Sequence, residues 1–311
     1  MIEKGDVLAA DIGGTNLRLA RVQAGGHIVR EVRVQTNFSQ LTELSSEAAA
    51  QAIVDTISQA AQPLLDADIV GLGIGFPGFF MGDSGILASS PNIPQLDNFN
   101  LAELLSNQLH IPVSAQNDAL CAAIGEHTFG AGKGHKNLLH ITLGTGIGGG
   151  FILNHQPYTG EHGMAMEFGH LCVAHGQDAR LCGCGNHGCV EAYASASAIS
   201  ARYAEISGEQ LETKIIFERG IQGNHEANVI IKSAASYLGQ AIAEAIKLLD
   251  IQTVCISGGL IGAWNILHPN IMVSLNNNLI PPQQNKVRIL PSILKDNAGL
   301  LGAANLFNKP K

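Results

Sequence analysis

The chain has 311 residues, of which 46% are hydrophobic and only 14% charged, and 36 of them are glycine. This length and composition are typical of a globular protein of about two domains with a sizeable core. The formal net charge of −8 argues against sequence-independent nucleic-acid binding through a basic surface, so we expect no nucleic-acid partner.

Neither a membrane span nor export is expected. No apolar stretch reaches the roughly 18 uninterrupted residues that a spanning helix needs, and the opening sequence MIEKGDVLAADIGG lacks the pattern of a signal peptide. We therefore expect a cytoplasmic location. In such a reducing compartment, clustered cysteines more often bind a metal than form disulfides.

Two similar stretches, VLAADIGGTNLRLARV (7–22) and LLHITLGTGIGGGFIL (138–153), each predict a β-hairpin with a glycine-rich tip. Further strands are predicted at 27–36, 68–78, 111–118 and 253–259, and helices at 44–62, 100–109, 119–130, 193–206, 225–249 and from about 297. The repeated order predicts two related α/β domains with a cleft between them. We expect a first domain over 1–117, a larger one over 118–296, and a last helix at 297–311 that packs back on the first.

Both glycine tips, DIGGTN (11–16) and GTGIGGG (144–150), present backbone N–H groups with little side-chain obstruction, as a phosphate-binding loop requires. Thr15 and Thr145 add hydroxyls, Arg18 adds a cation, and the Asp11 carboxylate is placed to hold a hydrated Mg²⁺. Either tip alone could be an ordinary turn, but two similar tips favour one shared phosphate group. The second tip also matches the dinucleotide fingerprint; it leads into a strand instead of a helix, which excludes that interpretation.

Asp118 follows an apolar strand, where a carboxylate is well placed to act on a ligand. The alternative is that Asn117 or Asp118 only caps the helix that follows.

The densest chemical motif is LCGCGNHGCVE (181–191). It supplies three thiolates, from Cys182, Cys184 and Cys189. Tetrahedral zinc needs one more ligand; His170 is the natural fourth, and the rivals are Cys172, His175 and His187. Redox activity is disfavoured because no C-x-x-C is present. Bound zinc would hold Glu167 and Glu191, on either side of the motif, in place.

Taken together, these segments resemble the ROK family of sugar kinases and related repressors. The matching segments are DIGGTNLR, GIGFPG, SPNIP, NDALCAA, LGTGIGGG, EFGH followed by CGCGNHGCVE, SGGLI and AGLLGAA. The resemblance implies an actin-like ATPase (ribonuclease H-like) α/β fold with an interdomain cleft. It also implies transfer of the γ-phosphoryl group of ATP to a sugar hydroxyl with Mg²⁺, a structural Zn²⁺ and a homodimer.

Carried over by position, the resemblance implies that Asp118 is the catalytic base. The sugar contacts would also include Gly78, Asn92, Asn117, Glu167, His170 and Glu191. The nucleotide side would comprise Asp11, Gly13, Gly14, Thr15, Asn16, Arg18, Gly144, Thr145, Gly146, Gly258 and Gly259. Zinc would be held by His170, Cys182, Cys184 and Cys189.

The first hypothesis is phosphorylation of glucose to glucose 6-phosphate. N-acetylmannosamine or N-acetylglucosamine 6-kinase activity, or another hexose such as fructose or allose, is the alternative. Met166 stands where many members have glycine, and the spacing from His170 to Cys182 is longer than the family pattern. Family repressors carry a helix-turn-helix domain before the first loop, whereas only ten residues precede Asp11 here. A catalytically inactive zinc-stabilised binding protein is disfavoured because no element needed for phosphoryl transfer is missing.

Overall fold

The computed structural model describes residues 5–13, 16–36, 38–90 and 93–307. The chain divides into two compact units. The first comprises Met1–Gly134, Gly150–Ala165 and Asp296–Lys311, and the second comprises His135–Gly149 and Met166–Lys295. These units are defined by contacts between residues and not by independent folding, so the domain boundary expected near residue 117 stays a prediction.

The sheet of the first unit begins with an antiparallel meander and continues with parallel strands. Its strand order is β3-β2-β1-β4-β8. The strands are β1 (Asp6–Ile12), β2 (Asn16–Gln23), β3 (His27–Gln35), β4 (Ile69–Phe76) and β8 (Val113–Asn117). A second, small sheet has the order β5-β6-β7, with β5 (Phe79–Phe80), β6 (Ile86–Ser89) and β7 (Asp97–Asn100).

The other five-stranded sheet has the order β11-β10-β9-β12-β13. Its strands are β9 (Leu138–Leu143), β10 (Ile147–Leu153), β11 (Gln156–Pro157), β12 (Thr253–Ser257) and β13 (Arg288–Pro291). Strand β12 is parallel to both β9 and β13. In each five-stranded sheet, three strands that are consecutive in the chain lie side by side and are followed by two later strands: β3-β2-β1 and then β4-β8, and β11-β10-β9 and then β12-β13. The internal similarity predicted from the two hairpins is therefore confirmed.

The first unit contains α1 (Ser46–Ala61), α2 (Leu101–Leu109), α3 (Asp118–Phe129) and α9 (Ala298–Ala304). The second contains α4 (Glu191–Ala194), α5 (Ala196–Ser207), α6 (Thr213–Ile221), α7 (His225–Leu249) and α8 (Trp264–Asn278). Side-chain caps fix the first residues of α1 and α7. The Ser45 hydroxyl accepts from the Ala48 N–H at 3.3 Å, and the Asn224 side chain accepts from the Ala227 N–H at 2.8 Å. Among the described residues, no helix combines the length and apolarity that a membrane crossing needs.

Helix α9 packs against α3 and β4 through glycines. A Cβ on Gly302 would stand 1.6 Å from the Cys121 carbonyl oxygen, and one on Gly73 would stand 1.9 Å from the Ala303 carbonyl oxygen. Both distances are far below any real carbon–oxygen contact, so only glycine permits this approach. The contact holds the helix that begins at Asp118 against the last helix of the chain.

We predict that Gly302→Ala lowers the Tm by about 2–5 °C, because overpacking a close contact costs about 1–3 kcal/mol and the obstacle here is backbone. Gly262→Ala is the matched control, because a Cβ there would meet nothing within 4 Å. Differential scanning calorimetry of both variants checks this. Equal melting temperatures would mean that α9 does not pack on α3 as described.

Candidate active site

Asn117 and Asp118 lie where β8 ends and α3 begins. The Leu120 N–H donates to Asn117 Oδ1 at 3.0 Å, and Asn117 Nδ2 donates to the Gly78 carbonyl oxygen at 3.1 Å. Asn117 is therefore the cap of α3, as one of the two residues considered for that role, and Asp118 is the first residue of the helix. The Asp118 Oδ1 accepts from the adjacent Ala119 N–H at 2.8 Å, and the carboxylate also accepts from the backbone N–H of Asp118 itself. Desolvation by burial raises the pKa of Asp118.

Asp11, at the end of β1, lies close to the first turn of α9. A Cβ on Gly299 would stand 2.9–3.0 Å from the carboxylate atoms of Asp11. The pKa of Asp11 is raised to about 6, first by desolvation and then by Asp118, while Arg18 lowers it. The two carboxylates therefore lie near enough for Asp118 to raise the pKa of Asp11, and strongly perturbed carboxylates of this kind are candidates for a functional site.

The first glycine tip is partly described. Gly13 N–H donates to the Asn16 carbonyl oxygen at 2.8 Å and closes the hairpin, whereas Gly14 and Thr15 lie outside the described residues, as does Asn92. Arg18, in β2, is 8% exposed. Its guanidinium donates to Glu31, to the Asp296 carbonyl oxygen and to Asn297.

The second glycine tip, in the second unit, lies directly against Glu191. The Ile147 N–H donates to Glu191 Oε2 at 2.7 Å, and a Cβ on Gly146 would stand 2.6 Å from the same oxygen. Ser197 Oγ donates to the Thr145 carbonyl oxygen at 2.9 Å, and the Gly144 N–H donates to the Gly146 carbonyl oxygen at 3.0 Å. The tip is thus fixed by α4 and α5, which follow the cysteine motif.

Gly258 and Gly259 follow β12 in the second unit. Gly258 has a left-handed backbone with φ of 93°, and a Cβ on it would stand 2.1 Å from the Leu143 carbonyl oxygen. Gly259 has no such neighbour within 4 Å. The absence of a side chain at Gly258 permits this segment to approach β9 closely, and at Gly259 no neighbouring atom obstructs the backbone.

The ligand atoms of four residues lie within 4.8 Å of one another: His170, Cys182, Cys184 and Cys189. The Cys184 and Cys189 sulfurs are 3.7 Å apart, as are Cys182 Sγ and His170 Nδ1. Tetrahedral zinc with Zn–S bonds of about 2.3 Å separates neighbouring sulfurs by about 3.8 Å. The donor set and its spacing therefore fit zinc, and they do not fit a disulfide.

The three rivals for the fourth ligand are grouped elsewhere. Cys172 Sγ lies 3.4 Å from His175 Nδ1 and 3.7 Å from the His187 carbonyl oxygen. Among the described residues, neither Cys172 nor the two histidines joins the cluster.

His170 connects the cluster to Glu167. Its Nδ1 faces Cys182, and its Nε2 lies 3.7 Å from Glu167 Oε2. One ring nitrogen thus faces the cluster and the other faces a carboxylate, at a distance longer than a hydrogen bond. Glu167 is 44% exposed at its side chain, and it follows Met166, whose φ of 71° is unusual for a residue other than glycine.

Sequence reasoning missed the partners of Arg18. Glu31 is a diagonal cross-strand neighbour, because Arg18 pairs with Arg33 in the register of β2 and β3. A register argument from the hairpin could have found it. Asp296 and Asn297 are some 278 residues away, and no local pattern indicates them.

Comparison with known proteins gives a consistent result. The ROK family model matches residues 7–310. A glucokinase of Thermotoga maritima is 31% identical over 97% of this chain and 97% of its own length. An N-acetylmannosamine kinase of Escherichia fergusonii is 35% identical over 98% and 99%.

Among solved structures, a ROK family glucokinase from Streptomyces griseus in complex with glucose and AMPPNP superposes with a TM-score of 0.82. It is 31% identical, and the match covers 97% of this chain and 99% of that one. The fold is thus the two-part α/β actin-like ATPase fold that the resemblance implied, and the chain belongs to the ROK family.

Proposed function

We propose that this ROK-family, ATP-dependent sugar kinase phosphorylates glucose on O6. The observation that carries the proposal is the Asp118 carboxyl group, which is left available because Asn117 caps α3. Support for glucose comes from the glucokinases of Thermotoga maritima and Streptomyces griseus, which match nearly the whole chain.

In the proposed reaction, Asp118 accepts the proton of the O6 hydroxyl while that oxygen forms a bond to the γ-phosphorus of ATP. The bond from phosphorus to the β,γ-bridging oxygen breaks, and ADP leaves with that electron pair. A raised pKa suits this role, because a more basic carboxylate takes the hydroxyl proton more readily. Bound Mg²⁺ would supply neutralisation of the phosphate charge, and the Asp11 carboxylate is the residue that would hold it.

We propose that the remaining sugar contacts come from Gly78, Asn92, Asn117, Glu167, His170 and Glu191. Carboxylates and amides suit a polyol because each sugar hydroxyl both donates and accepts. Backbone amides at the glycine positions would bind the nucleotide phosphates, at Gly13, Gly14, Gly144, Gly146, Gly258 and Gly259, with Thr15, Asn16 and Thr145 beside them. Since Arg18 donates to other protein groups, it is treated separately below.

We propose that His170, Cys182, Cys184 and Cys189 bind one structural zinc ion. The cluster fits zinc in its donors and spacing. Zinc would supply no chemistry to the reaction itself. Through His170 it would hold Glu167 in place. Through Cys189, two residues before Glu191, it would hold Glu191 against the second glycine tip.

The test is ADP formation with a panel of sugars: glucose, mannose, fructose, allose, N-acetylglucosamine and N-acetylmannosamine. We expect glucose to have the highest kcat/KM, by about tenfold or more over the N-acetylhexosamines, because the acetamido group must fit around C2. The control is 6-deoxyglucose, which lacks the reacting hydroxyl and is expected to give no ADP above background. A higher kcat/KM for another sugar contradicts the assignment of glucose.

The second candidate is N-acetylmannosamine kinase activity. It is supported by the enzyme of Escherichia fergusonii, whose 35% identity is somewhat higher than that of the glucokinases. Whichever sugar is the substrate, Met166 adjoins the proposed sugar contact Glu167, and its side chain, longer than the glycine of many family members, could alter the selectivity between sugars. The homodimer, the lack of nucleic-acid binding and the cytoplasmic location stay predictions.

A further inference from the structure

We propose that Arg18 is a positioning residue and not a phosphate ligand. With Glu31 as its counter-ion, it clamps the start of the last helix onto the β1–β2 hairpin and so fixes the surroundings of Asp11. The proposal rests on the ATP-dependent kinase activity described above.

The first half of this clamp is a two-pronged ion pair. Arg18 Nε donates to Glu31 Oε1 at 3.0 Å, and Nη2 donates to Glu31 Oε2 at 3.3 Å. The side chains are 10% and 24% exposed, and hydrogen bonding to Arg18 lowers the pKa of Glu31. A fork-shaped pair of this kind fixes the plane and direction of the guanidinium group.

The second half ties Arg18 to the end of the chain. Nη2 also donates to Asn297 Oδ1 at 2.9 Å, and Nη1 donates to the Asp296 carbonyl oxygen. Asn297 immediately precedes α9, and Asp296 is where the chain re-enters the first unit. Lys295, the residue before Asp296, has a left-handed φ of 53°. The two residues that Arg18 holds therefore follow a strained residue.

The clamp bears on the chemistry through Asp11. Asp11 is directly opposite Arg18 in the register of β1 and β2. Its carboxylate lies against Gly299, two residues after Asn297. Releasing Asn297 would therefore free the turn that packs on Asp11. Arg18 also lowers the pKa of Asp11, which Asp118 and Asp296 raise, so the clamp favours the ionised form of Asp11.

A phosphate role would require a different arrangement. To reach an anion, the guanidinium would have to leave a partly buried ion pair and two further acceptors. Breaking such a pair is costly because it leaves buried charges uncompensated. The geometry favours a residue already committed to protein groups.

The test uses steady-state kinetics of Glu31→Gln, Asn297→Ala and Arg18→Lys in the full chain. Each variant breaks the clamp, since lysine cannot hold Glu31 and residues 296–297 together. We expect kcat/KM for MgATP to fall about tenfold, because small displacements of catalytic groups have large effects on rate, while KM for the sugar stays unchanged. The control is Arg33→Gln, which removes the other, 66% exposed, partner of Glu31 and is expected to behave as wild type.

Direct phosphate binding predicts a different pattern. Glu31→Gln would then free the cation and leave kcat/KM for MgATP unchanged or raised, and Arg18→Lys would keep most of the affinity. Either result overturns the clamp. An equal rise in KM for the sugar and for MgATP would also overturn it, because it would indicate general loss of structure.

A second measurement separates this proposal from the proposed function. Lys295 is exposed, so limited trypsin digestion, followed by mass spectrometry, reports cleavage after it. We expect faster cleavage in Glu31→Gln than in wild type and Arg33→Gln. If wild type phosphorylates none of the sugars tested, the proposed function fails, yet this comparison still decides the clamp: equal cleavage rates overturn it.

Discussion

Asp118→Asn is expected to reduce kcat for sugar-dependent ADP formation by about 10³-fold while the protein stays folded. The amide has the shape of the carboxylate and can still accept from the Ala119 N–H. It cannot take the proton of the attacking hydroxyl, and a positioned general base contributes about 10²–10⁴-fold. A coupled assay of ADP formation, with glucose and then with the sugar preferred in the panel, measures the loss.

The stability of Asp118→Asn gives an independent check. Burial raises the folded-state pKa of Asp118 above its unfolded value. The ionised form of Asp118 therefore destabilises the fold; this penalty is complete above the folded pKa, shrinks as the pH falls below it, and is gone below the unfolded pKa. A neutral amide avoids the penalty, so we expect a Tm equal to or above that of wild type.

Asp55→Asn is the control, because Asp55 lies on α1 and accepts from the Gln51 and Gln108 amides. It should leave both activity and Tm unchanged. Full turnover in Asp118→Asn would remove Asp118 from the reaction. Loss of turnover together with a lower Tm would indicate a structural role instead.

Cys184→Ser is expected to remove the metal, lower the Tm and raise the sugar KM by about tenfold or more. Cys184 is exposed, so serine itself should be tolerated, and the effect should come from the lost thiolate ligand. In the proposed function, zinc would connect the loops that carry Glu167 and Glu191, and disturbing a metal site or its supporting groups typically costs about 10–100-fold in affinity or activity. Because zinc binding and folding are coupled, stability and sugar affinity should fall together.

Cys172→Ser is the matched control. Its sulfur is also exposed and near a histidine, but it lies outside the cluster. Metal content by plasma mass spectrometry should be one zinc per chain in wild type and Cys172→Ser, and close to none in Cys184→Ser. Loss of zinc in Cys172→Ser would make Cys172 a ligand, and wild-type kinetics in demonstrably metal-free protein would contradict the positioning role of the ion.

Elements with a strong local signal could be predicted from the sequence. The helix predicted at 225–249 is α7, His225–Leu249, which has a cap at Asn224 and twelve buried positions along one face. The strand predicted at 27–36 is β3, His27–Gln35. The helix predicted at 193–206 is instead two helices, because Ser195 ends α4 and caps α5, where its hydroxyl accepts from the Ala198 N–H.

Helix α8, Trp264–Asn278, was not predicted. It contains Pro269 and five asparagines, which all have low helix propensity, so its stability comes from tertiary packing. Its partner is α7: a Cβ on Gly239 would stand 2.6 Å from the Ile271 carbonyl oxygen. Such long-range packing leaves no periodic signal in a single sequence.

In the candidate site, the residue types were predictable, and so was the grouping of His170 with Cys182, Cys184 and Cys189. The hydrogen-bond partners of Arg18 were not. The commitment of Arg18 to Glu31 and Asn297 depends on the chain returning from its far end. Local sequence identifies chemistry, whereas the contacts that orient it are set by topology.

The discontinuity of the first unit has a consequence for biosynthesis. Its segment Asp296–Lys311 is synthesised after the whole of the second unit, and α9 within that segment is buried along its whole length. Until that helix emerges, nascent β4 and α3 lack the partner that covers Gly73 and Cys121. The earlier parts of the first unit must therefore wait for α9 to complete their interior, and a nonsense mutation near residue 296 would leave an open apolar surface for chaperones and proteases to recognise.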